Sequence, residues 1–281
     1  MTEAFAADWL SLREAADGAA RCRALTGRAA AWLAARPRPL QIVDLGAGGG
    51  NNPAWLAPRL PGPQRWRLVD HDAELLERAS ARLRALADAD GAPAALELDR
   101  RGLDDVAGAV PAGTDLATAS ALFDLVSADW LEALADRCAK VGCAALWALT
   151  VDGRWRFFDT RGAAVEASED ARMCARLNAH QRRDKGLGAA LGGTAPAALR
   201  TAFERRGFEV RSAASPWRLE PGTRVPLALA LIDGWRDALH AIAPGSGRAI
   251  DAWWSQRRGR VARGELGVEV GHVDVWTLPP A

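Results

Sequence analysis

The residues best suited to chemistry surround a glycine-rich segment that follows an apolar run. Gly46 and Gly48 allow the backbone to approach a nucleotide closely, because a Cβ atom at either position would collide with it. Asp44 lies two residues before Gly46, where its carboxylate suits a cationic ligand and would repel the pyrophosphate of a dinucleotide. Asp70 ends the next apolar run, and its carboxylate can accept both hydroxyls of a ribose. Together these residues predict a site for a cationic nucleoside, although either carboxylate alone could simply cap its loop.

A dinucleotide cofactor is disfavoured at this site. NAD-binding loops follow the pattern G-x-G-x-x-G, whereas the sixth position of this segment is Asn51. Asp70 would serve the ribose of either cofactor type, so Asp44 is the residue that discriminates. An NAD(P) oxidoreductase therefore remains an alternative, which cofactor titration would test.

Strands that alternate with helices are predicted to position these residues. Apolar runs predict strands at about residues 40–45, 67–70, 95–98, 116–122, 143–151, 208–213 and 268–278. Helical spacing predicts helices at about residues 4–36, with a break near 17–18, and at 53–60, 73–89, 129–140, 194–206, 224–241 and 247–263. Such alternation is typical of a doubly wound α/β fold, in which right-handed crossovers join parallel strands.

The chain is predicted to form a single domain, residues 1–281, with four parts. These are N-terminal helices at 1–39, a cofactor-binding core at 40–151, an insertion at 152–193 and a C-terminal part of the sheet at 194–281. The insertion has no clear strand–helix rhythm, yet Trp155, Phe157 and Phe158 give it apolar anchors that disorder would not explain. Because it leaves the carboxyl end of strand five, we expect it to form the acceptor side of a pocket.

Three segments resemble motifs of class I S-adenosylmethionine-dependent methyltransferases. The first motif is resembled by residues 43–51 (VDLGAGGGN), the second by 68–72 (LVDHD), and the fourth-strand motif by 115–122 (DLATASAL). The resemblance is good over residues 40–151 and looser beyond them. It implies a Rossmann-like, seven-stranded, mostly parallel sheet with an antiparallel last strand, and S-adenosylmethionine bound over its carboxyl edge. The N-terminal helices would then form a lid on the cofactor.

The resemblance also implies roles for individual residues. It assigns the cofactor to Asp44, Gly46, Ala47, Gly48, Asn51, Asp70 and His71 of the first two motifs, to Asp99 beside the adenine amino group, and to Ser120 and Leu122 at the methionine end. Asp99 could equally be a plain loop acid. Arg13 on the N-terminal helix would clamp the methionine carboxylate, unless Arg13, Asp17 and Arg21 form only an exposed ion-pair ladder at four-residue spacing.

Three residues are candidates for contact with the methyl acceptor. In a helix, His180 and Asp184 would share a face, and a carboxylate at that spacing can hold an imidazole neutral and oriented for proton removal. A solvated turn is the alternative for this pair. Asp124, just after the fourth strand, could act as a general base or could cap the helix that begins near Ser127. His272 is expected to pack within the last strand.

Composition limits the acceptor and the cellular setting. With 36 basic and 35 acidic residues the net charge is +1, whereas a nucleic-acid surface usually carries a basic excess. No Asn/Asp-Pro-Pro-Phe/Tyr stretch follows strand four, which disfavours methylation of bases. The four cysteines form no C-x-x-C pair, so we expect reduced thiols and no metal site. Neither a signal peptide nor a membrane-spanning segment is expected.

These observations predict a cytoplasmic enzyme that transfers a methyl group from S-adenosylmethionine to a small molecule, on oxygen or nitrogen rather than carbon. Positioning would supply most of the catalysis, because methyl transfer is an in-line displacement. Two alternatives remain: a nucleic-acid methyltransferase, and a cofactor-binding protein of the same fold without catalysis. Tight cofactor binding without turnover would favour the second. The sequence leaves the oligomeric state open.

Overall fold

The structure is a computed structural model that describes residues 3–165, 167–181 and 187–280, with side chains from residue 8 onward. The strands of this described part are β1 (Leu40–Leu45), β2 (Gln64–Asp70), β3 (Ala95–Arg100), β4 (Leu116–Ser120), β5 (Ala144–Asp159), β6 (Glu209–Ala214), β7 (Trp217–Leu219) and β8 (Leu266–Leu278). Its α-helices are α1 (Glu3–Ala20), α2 (Arg23–Ala34), α3 (Asn51–Leu56), α4 (Ala73–Arg82), α5 (Val106–Ala109), α6 (Ala128–Val141), α7 (Ser168–Gln181), α8 (Ala195–Glu204), α9 (Val225–Ile242) and α10 (Gly247–Ala262). No helix in these ranges is long and apolar enough to span a membrane.

The strands form one sheet in the order β3-β2-β1-β4-β5-β8-β6, and the short β7 also pairs with β8. β1 to β5 are parallel to one another, whereas β8 runs antiparallel to β5, β6 and β7. The predicted α/β fold, a doubly wound and mostly parallel sheet with an antiparallel last strand, is thereby confirmed. The sheet differs from the seven-stranded prediction by β7, whose three residues are too few to show a strand periodicity in the sequence.

Two apolar layers enclose the parallel part of the sheet. Leu40, Ile42 and Trp66 lie on the face that packs against α2, α3 and α4. Val43 and Leu45 lie on the opposite face, against α5, α6 and α8. Because both faces are covered, β1 and β4 are buried at nearly every position and do not alternate between buried and exposed residues.

β5 continues beyond the carboxyl edge of the parallel sheet, which corrects the prediction of an irregular insertion after Val151. The strand reaches Asp159 through a bulge, where its register against β8 shifts between Val151 and Trp155. β5, β8 and β7 thus form an antiparallel extension, against which α1, α7, α9 and α10 pack. Phe157 and Phe158 are fully buried there. An acid, a glycine and an arginine within the bulge interrupt the apolar pattern, which is why the sequence did not reveal this continuation.

The two N-terminal helices separate at Arg21 and Cys22, not near Gly18 as predicted. Gly18 stays helical and lets Trp55 approach, since a Cβ atom at Gly18 would lie 3.0 Å from that ring. The break is fixed by Asp274 of β8, whose Oδ2 accepts a hydrogen bond from the Cys22 N–H at 2.7 Å. Its Oδ1 accepts another from a backbone N–H of β5 at 2.8 Å. α2 therefore begins where the last strand holds the chain.

Candidate active site

The glycine-rich loop between β1 and α3 makes the sharp turn that its sequence predicts. Gly46 and Gly48 have φ values of 65° and 50°. A Cβ atom at Gly46 would lie 3.4 Å from Leu122, and one at Gly48 would lie 3.6 Å from Leu10 of α1. The N–H of the buried Ala47 donates to a carbonyl of β2 at 3.0 Å. The loop is therefore fixed against β2, with α1 lying over it.

Asp70 ends β2 and is buried beside this loop. Its Oδ2 accepts a hydrogen bond from the Gly48 N–H at 2.8 Å, and its Oδ1 accepts one from the Asp72 N–H at 3.0 Å. A carboxylate has about four lone-pair sites, so capping the loop leaves acceptor capacity for a ligand. His71 is exposed, with its Nδ1 3.3 Å from Asp70 Oδ1.

Asp44 belongs to a buried polar network beneath the loop. Asn52 donates through Nδ2 to Asp44 Oδ1 at 2.6 Å and to Thr118 Oγ1 at 3.1 Å, and its own Oδ1 accepts from Arg21 Nη1 at 2.7 Å. Burial raises the pKa of Asp44 to about 7, although the Asn52 hydrogen bond and the Arg21 charge oppose the shift. Within the described ranges no donor reaches Asp44 Oδ2. One oxygen of this carboxyl therefore remains for a further partner.

Arg21 is the principal site residue that the sequence did not assign to the cofactor. Its side chain is 6% exposed, and its guanidinium lies 4.5 Å from the centroid of the Trp55 ring. Burial lowers the pKa of Arg21, while Asp274 and Asp44 act in the opposite direction. No acceptor among the described residues bonds its Nε or Nη2. Unpartnered guanidinium nitrogens are costly when buried, so they mark a place for an anionic ligand.

A cavity of about 410 Å³, here called the smaller cavity, lies between α1 and α3. Its lining includes Asp17, Arg21, Asn51, Asn52, Trp55 and Ser120. Asp44 lies directly behind Asn52, to which it is hydrogen bonded. The smaller cavity thus has a guanidinium in its wall and a carboxyl just behind it, an arrangement that fits the carboxylate and ammonium of an amino acid.

Two of the predicted cofactor residues make contacts that hold α1 against the core. Arg13 Nε donates to Asp17 Oδ2 at 2.9 Å, and its guanidinium lies 5.0 Å from the Trp217 ring centroid. Asn51 Nδ2 donates to the Leu10 carbonyl at 2.9 Å. Asn51 lines the smaller cavity, whereas Arg13 does not belong to the lining in the described chain. The Arg13–Asp17 pair agrees with the ladder alternative, except that both side chains are largely buried.

The remaining cofactor candidates lie along the carboxyl edge of the sheet. Asp99 is in β3 and not in a loop, where it forms ion pairs with Arg67 at 2.7 Å and Arg101 at 2.6 Å. Ser120 ends β4 and lines the smaller cavity. Leu122 is buried against Gly46. The structure therefore brings Ser120 together with Arg21, while Asp99 lies on β3, which β1 and β2 separate from the strand of Ser120.

Two of the three acceptor candidates, Asp124 and His180, lie among the described residues. Asp124 is half-buried, and its carbonyl accepts from the Gly192 N–H at 3.0 Å. The helix-cap alternative for Asp124 is wrong, because Ser127 caps α6 by accepting from the Trp130 N–H at 3.2 Å. His180 is half-buried near the end of α7. Asp184, its proposed partner, lies outside the described residues.

A larger cavity, of about 1070 Å³, lies beside the β5–β8 extension. Its lining comes from β5, α7, β8 and the connection between β6 and β7, and includes Trp155, Phe157, Cys174, Asn178, Pro216 and His272. His180 and Asp124 are not among its described lining residues. The predicted acceptor-side segment therefore supplies one wall of the larger cavity, but the predicted histidine lies elsewhere.

His272 packs within β8 as expected and also lines the larger cavity. Its Nδ1 lies 3.0 Å from the Val270 carbonyl, which can only accept, so Nδ1 carries the hydrogen. Burial lowers the pKa of His272 to about 4, with the Arg13 charge acting in the same direction. The ring packs against Trp217 with centroids 5.0 Å apart. His272 is therefore a neutral imidazole at pH 7.

Sequence reasoning missed Arg21, Asn52 and Asp274, and the signals for them differ. In the sequence, Arg21 is the last of three charged residues at four-residue spacing, a pattern that indicated only an exposed ion-pair ladder. Asp274 interrupts an otherwise apolar final strand, and an acid in such a strand signals a buried partner. Asn52 gave no signal, because its role depends on α3 packing above β1. Within the described chain no group of three or more His, Cys, Asp or Glu side chains is placed to hold a metal ion.

No protein-family model and no curated protein sequence matches the chain. Among solved structures it is similar to an S-adenosylmethionine-dependent methyltransferase from Geobacter sulfurreducens in complex with S-adenosyl-L-homocysteine, at 18% identity, TM-score 0.43, and 93% and 92% coverage of this chain and that chain. It is also similar to a cyclopropane synthase from Mycobacterium tuberculosis, at 13% identity, TM-score 0.45, and 91% and 82% coverage. A third is a geranyl diphosphate C-methyltransferase from Streptomyces coelicolor, at 13% identity, TM-score 0.44, and 91% and 75% coverage. Likenesses this distant assign no activity to the chain; its own strand order gives it the Rossmann-like fold of class I methyltransferases.

Proposed function

We propose that this protein is an S-adenosylmethionine-dependent methyltransferase that acts on a small molecule. The observation that carries the proposal is the buried Arg21–Asn52–Asp44 network beside the glycine loop. Arg21 has two guanidinium nitrogens without an acceptor in the described chain, and Asp44 has one oxygen without a donor. The zwitterionic amino acid end of the cofactor supplies a carboxylate for Arg21 and an ammonium for Asp44. The pyrophosphate of a dinucleotide supplies no cation for Asp44.

The residues present fit the other parts of the cofactor as well. Asp70 keeps acceptor capacity for the ribose hydroxyls after capping the loop. Asp99 is the proposed contact of the adenine amino group, held in place by its two arginine partners. Ser120 and Leu122 are proposed to bound the methionine end, and α1 is proposed to be the lid, since Leu10 lies over the loop. Arg21, not Arg13, is the proposed clamp of the methionine carboxylate.

When bound, S-adenosylmethionine supplies a methyl group on a cationic sulfonium, and the sulfur keeps the electron pair of the broken S–C bond. The protein's part is to orient that group and to exclude water, because an in-line displacement gains most from positioning. A buried Arg21 and a fixed loop hold the amino acid end rigidly. Because Asn52 already holds Arg21 and Asp44 by hydrogen bonds, these charged side chains need not reorient during the reaction.

The acceptor is proposed to be a small molecule, methylated on oxygen or nitrogen, that enters from the side of residues 152–193. A net charge of +1 supports a partner other than nucleic acid. His180, Asp184 and Asp124 remain the proposed proton acceptors, to be tested by substitution. Free thiols at the four cysteines support the reducing cytoplasm as the setting.

The decisive experiment compares two ligands by isothermal titration calorimetry. S-adenosylhomocysteine carries the amino acid end, whereas 5′-methylthioadenosine has the same nucleoside without it. We expect the first to bind about 10- to 100-fold more tightly, as charge-assisted hydrogen bonds contribute about 1.5–3 kcal/mol. In Arg21→Met this advantage should largely disappear, while the affinity for 5′-methylthioadenosine stays close to that of the wild type.

Arg13→Met is the matched control, because Arg13 lies four residues before Asp17, as Arg21 lies four residues after it, and is also largely buried. It should keep the preference for S-adenosylhomocysteine. Absence of binding of either ligand to the folded protein would exclude the proposed function. A preference lost in Arg13→Met and kept in Arg21→Met would return the clamp to the residue that the sequence suggested.

A further inference from the structure

The larger cavity has the size and the wall of a small-molecule site. At about 1070 Å³ it can enclose a ligand of several fused rings. The half-buried Trp155 of β5 lines it and is kept in place by stacking on Trp235 of α9 at 4.4 Å between ring centroids, while the fully buried Phe157 packs against Trp155 at 5.7 Å. Small alanine side chains of α7, such as Ala171 and Ala175, form the facing wall. A flat apolar molecule therefore fits between the aromatic strand and the helix.

Every charged side chain in the described lining is already paired. Arg154 Nε donates to Asp152 Oδ2 at 2.9 Å, and Arg156 lies 2.8 Å from Glu269. Asp170 accepts hydrogen bonds from Arg257 at 2.9 Å through both oxygens and from Trp253 at 2.7 Å. Among the described lining residues, an anionic or a cationic ligand would have to compete with these pairs for its partner. The lining therefore selects a neutral molecule.

His272 gives this neutral cavity one directional polar contact. Its Nδ1–H is used by the Val270 carbonyl, so Nε2 bears a lone pair and can only accept. No hydrogen bond to Nε2 is formed by the described residues. Burial keeps the pKa of the ring far below 7, and Nε2 thus remains an acceptor under physiological conditions. Its natural partner is a hydroxyl or N–H group on the ligand.

Trp217 connects the linings of the two cavities. Trp217 packs against His272 on the side of the larger cavity, and its Nε1–H donates to Asp17 Oδ1 at 2.9 Å. Asp17 lines the smaller cavity. Asp274, whose charge acts on Arg21, lies two residues along β8 from His272 on the same face of the strand. The larger cavity is thus adjacent to the proposed methionine end of the cofactor.

We propose that the larger cavity binds the methyl acceptor, a neutral, ring-containing, largely apolar molecule whose hydroxyl donates a hydrogen bond to His272. This inference rests on the proposed methyltransferase function. The proposal gives a binding role to His272, which the sequence indicated only as a packed residue of the last strand. The acceptor class follows from the aromatic wall, the paired charges and the accepting Nε2 of His272.

The test uses three pyrenes, followed by energy transfer from tryptophan emission in the intact protein. 1-Hydroxypyrene is neutral and donates, 1-methoxypyrene has the same ring without a donor, and pyrene-1-sulfonate is an anion. We expect 1-hydroxypyrene to bind about 3- to 10-fold more tightly than 1-methoxypyrene, the effect of one neutral hydrogen bond. The sulfonate should bind at least about 10-fold more weakly than 1-hydroxypyrene, because its charge would be buried without a partner.

Two variants locate the contact. His272→Leu should make the hydroxyl and methoxy compounds equal in affinity, whereas the control His240→Leu should keep the preference, since His240 pairs with Asp251 outside the larger cavity. Ala175→Trp fills the cavity from the α7 side and should abolish binding of all three. Equal affinities for the hydroxyl and methoxy compounds in the wild type, tight sulfonate binding, or unchanged binding in Ala175→Trp would each overturn the proposal.

Addition of S-adenosylmethionine separates this inference from the proposed function. Conversion of 1-hydroxypyrene and S-adenosylmethionine to 1-methoxypyrene and S-adenosylhomocysteine is expected, with the hydroxyl proton released to the buffer and with loss of turnover in Ala175→Trp. If S-adenosylhomocysteine binds but the pyrenes do not bind or are not converted, the acceptor assignment fails while the cofactor site stands. If the pyrenes bind and S-adenosylhomocysteine does not, the methyltransferase function fails and with it the role of acceptor.

Discussion

Binding of S-adenosylhomocysteine is expected to be coupled to the ionisation of Asp44. Burial raises the pKa of this carboxyl to about 7 in the ligand-free protein. An ammonium group placed beside its Oδ2 favours the charged form and lowers that pKa in the complex. Binding should therefore release protons at pH values between the pKa of the complex and about 7, and the affinity should rise with pH over this range.

The size of the effect follows from the ionised fraction before binding. With a pKa of about 7, Asp44 is about one part in eleven ionised at pH 6 and about ten parts in eleven at pH 8. The dissociation constant should thus be about tenfold lower at pH 8 than at pH 6, with about half a proton released per ligand at pH 7. Calorimetry in phosphate and in Tris measures both, because the two buffers differ in their heat of ionisation.

Asp44→Asn is the control for this coupling. It keeps the size of the side chain and an oxygen for Asn52, but removes the titration. The amino group of the ligand titrates equally with both proteins, so the difference between them isolates Asp44. A dissociation constant that does not change with pH in the wild type, or the same pH dependence in Asp44→Asn, would refute the assignment of the ammonium to this carboxyl.

Four other changes test the site and the fold. The pKa of Asp44 is raised above its ordinary value of 3.8, so its contribution to stability should be complete below about pH 4 and lost as the pH rises through 7; urea titrations should show this decline, and Asp44→Asn should flatten it. Asp70→Ala should weaken S-adenosylhomocysteine binding by about 10- to 100-fold, and calorimetric affinity equal to the wild type would make Asp70 a loop cap only. His180→Ala should slow turnover by about 10²–10⁴-fold if His180 is a general base, with unchanged cofactor affinity; an unaltered rate would return it to a structural role. Asp170→Ala leaves Arg257 buried without its carboxylate, so urea titration should show a loss of about 3–5 kcal/mol in unfolding free energy, and a loss below about 1 kcal/mol would show that water replaces the pair.

Much of the parallel core could be predicted because local and global signals agree there. The run from Leu40 to Leu45 is apolar, ends in a glycine turn and is covered on both faces, so a single pattern defines both the strand and its burial. The final strand was predicted from residue 268, and the structure begins it two residues earlier, at Leu266. α9 and α10 likewise follow from helical spacing of apolar residues.

The antiparallel extension could not be predicted in the same way, because its signals are not local. Gly153 and its charged neighbours read as a turn, and only pairing with β8 more than a hundred residues later makes them a bulge. Arg21 shows the same limit at the site. Its spacing from Asp17 indicated a surface ladder, whereas its burial depends on Trp55 and Asp274, which come from distant parts of the chain.

The position of β8 has a consequence for how the protein is made. It is synthesised after the other described strands of the sheet, yet it lies inside the sheet between β5 and β6 and is the strand partner of β7. Until β8 leaves the ribosome, β5 presents an open apolar edge. Asp274 is also not yet present to accept the hydrogen bond from the Cys22 N–H at the α1–α2 junction. While the segment from β5 to β8 is being made, the nascent chain therefore holds an incomplete sheet with an exposed apolar edge, and chaperones and chain concentration then decide between folding and aggregation. Slow codons or crowding within this segment should thus affect yield more than changes upstream of β5.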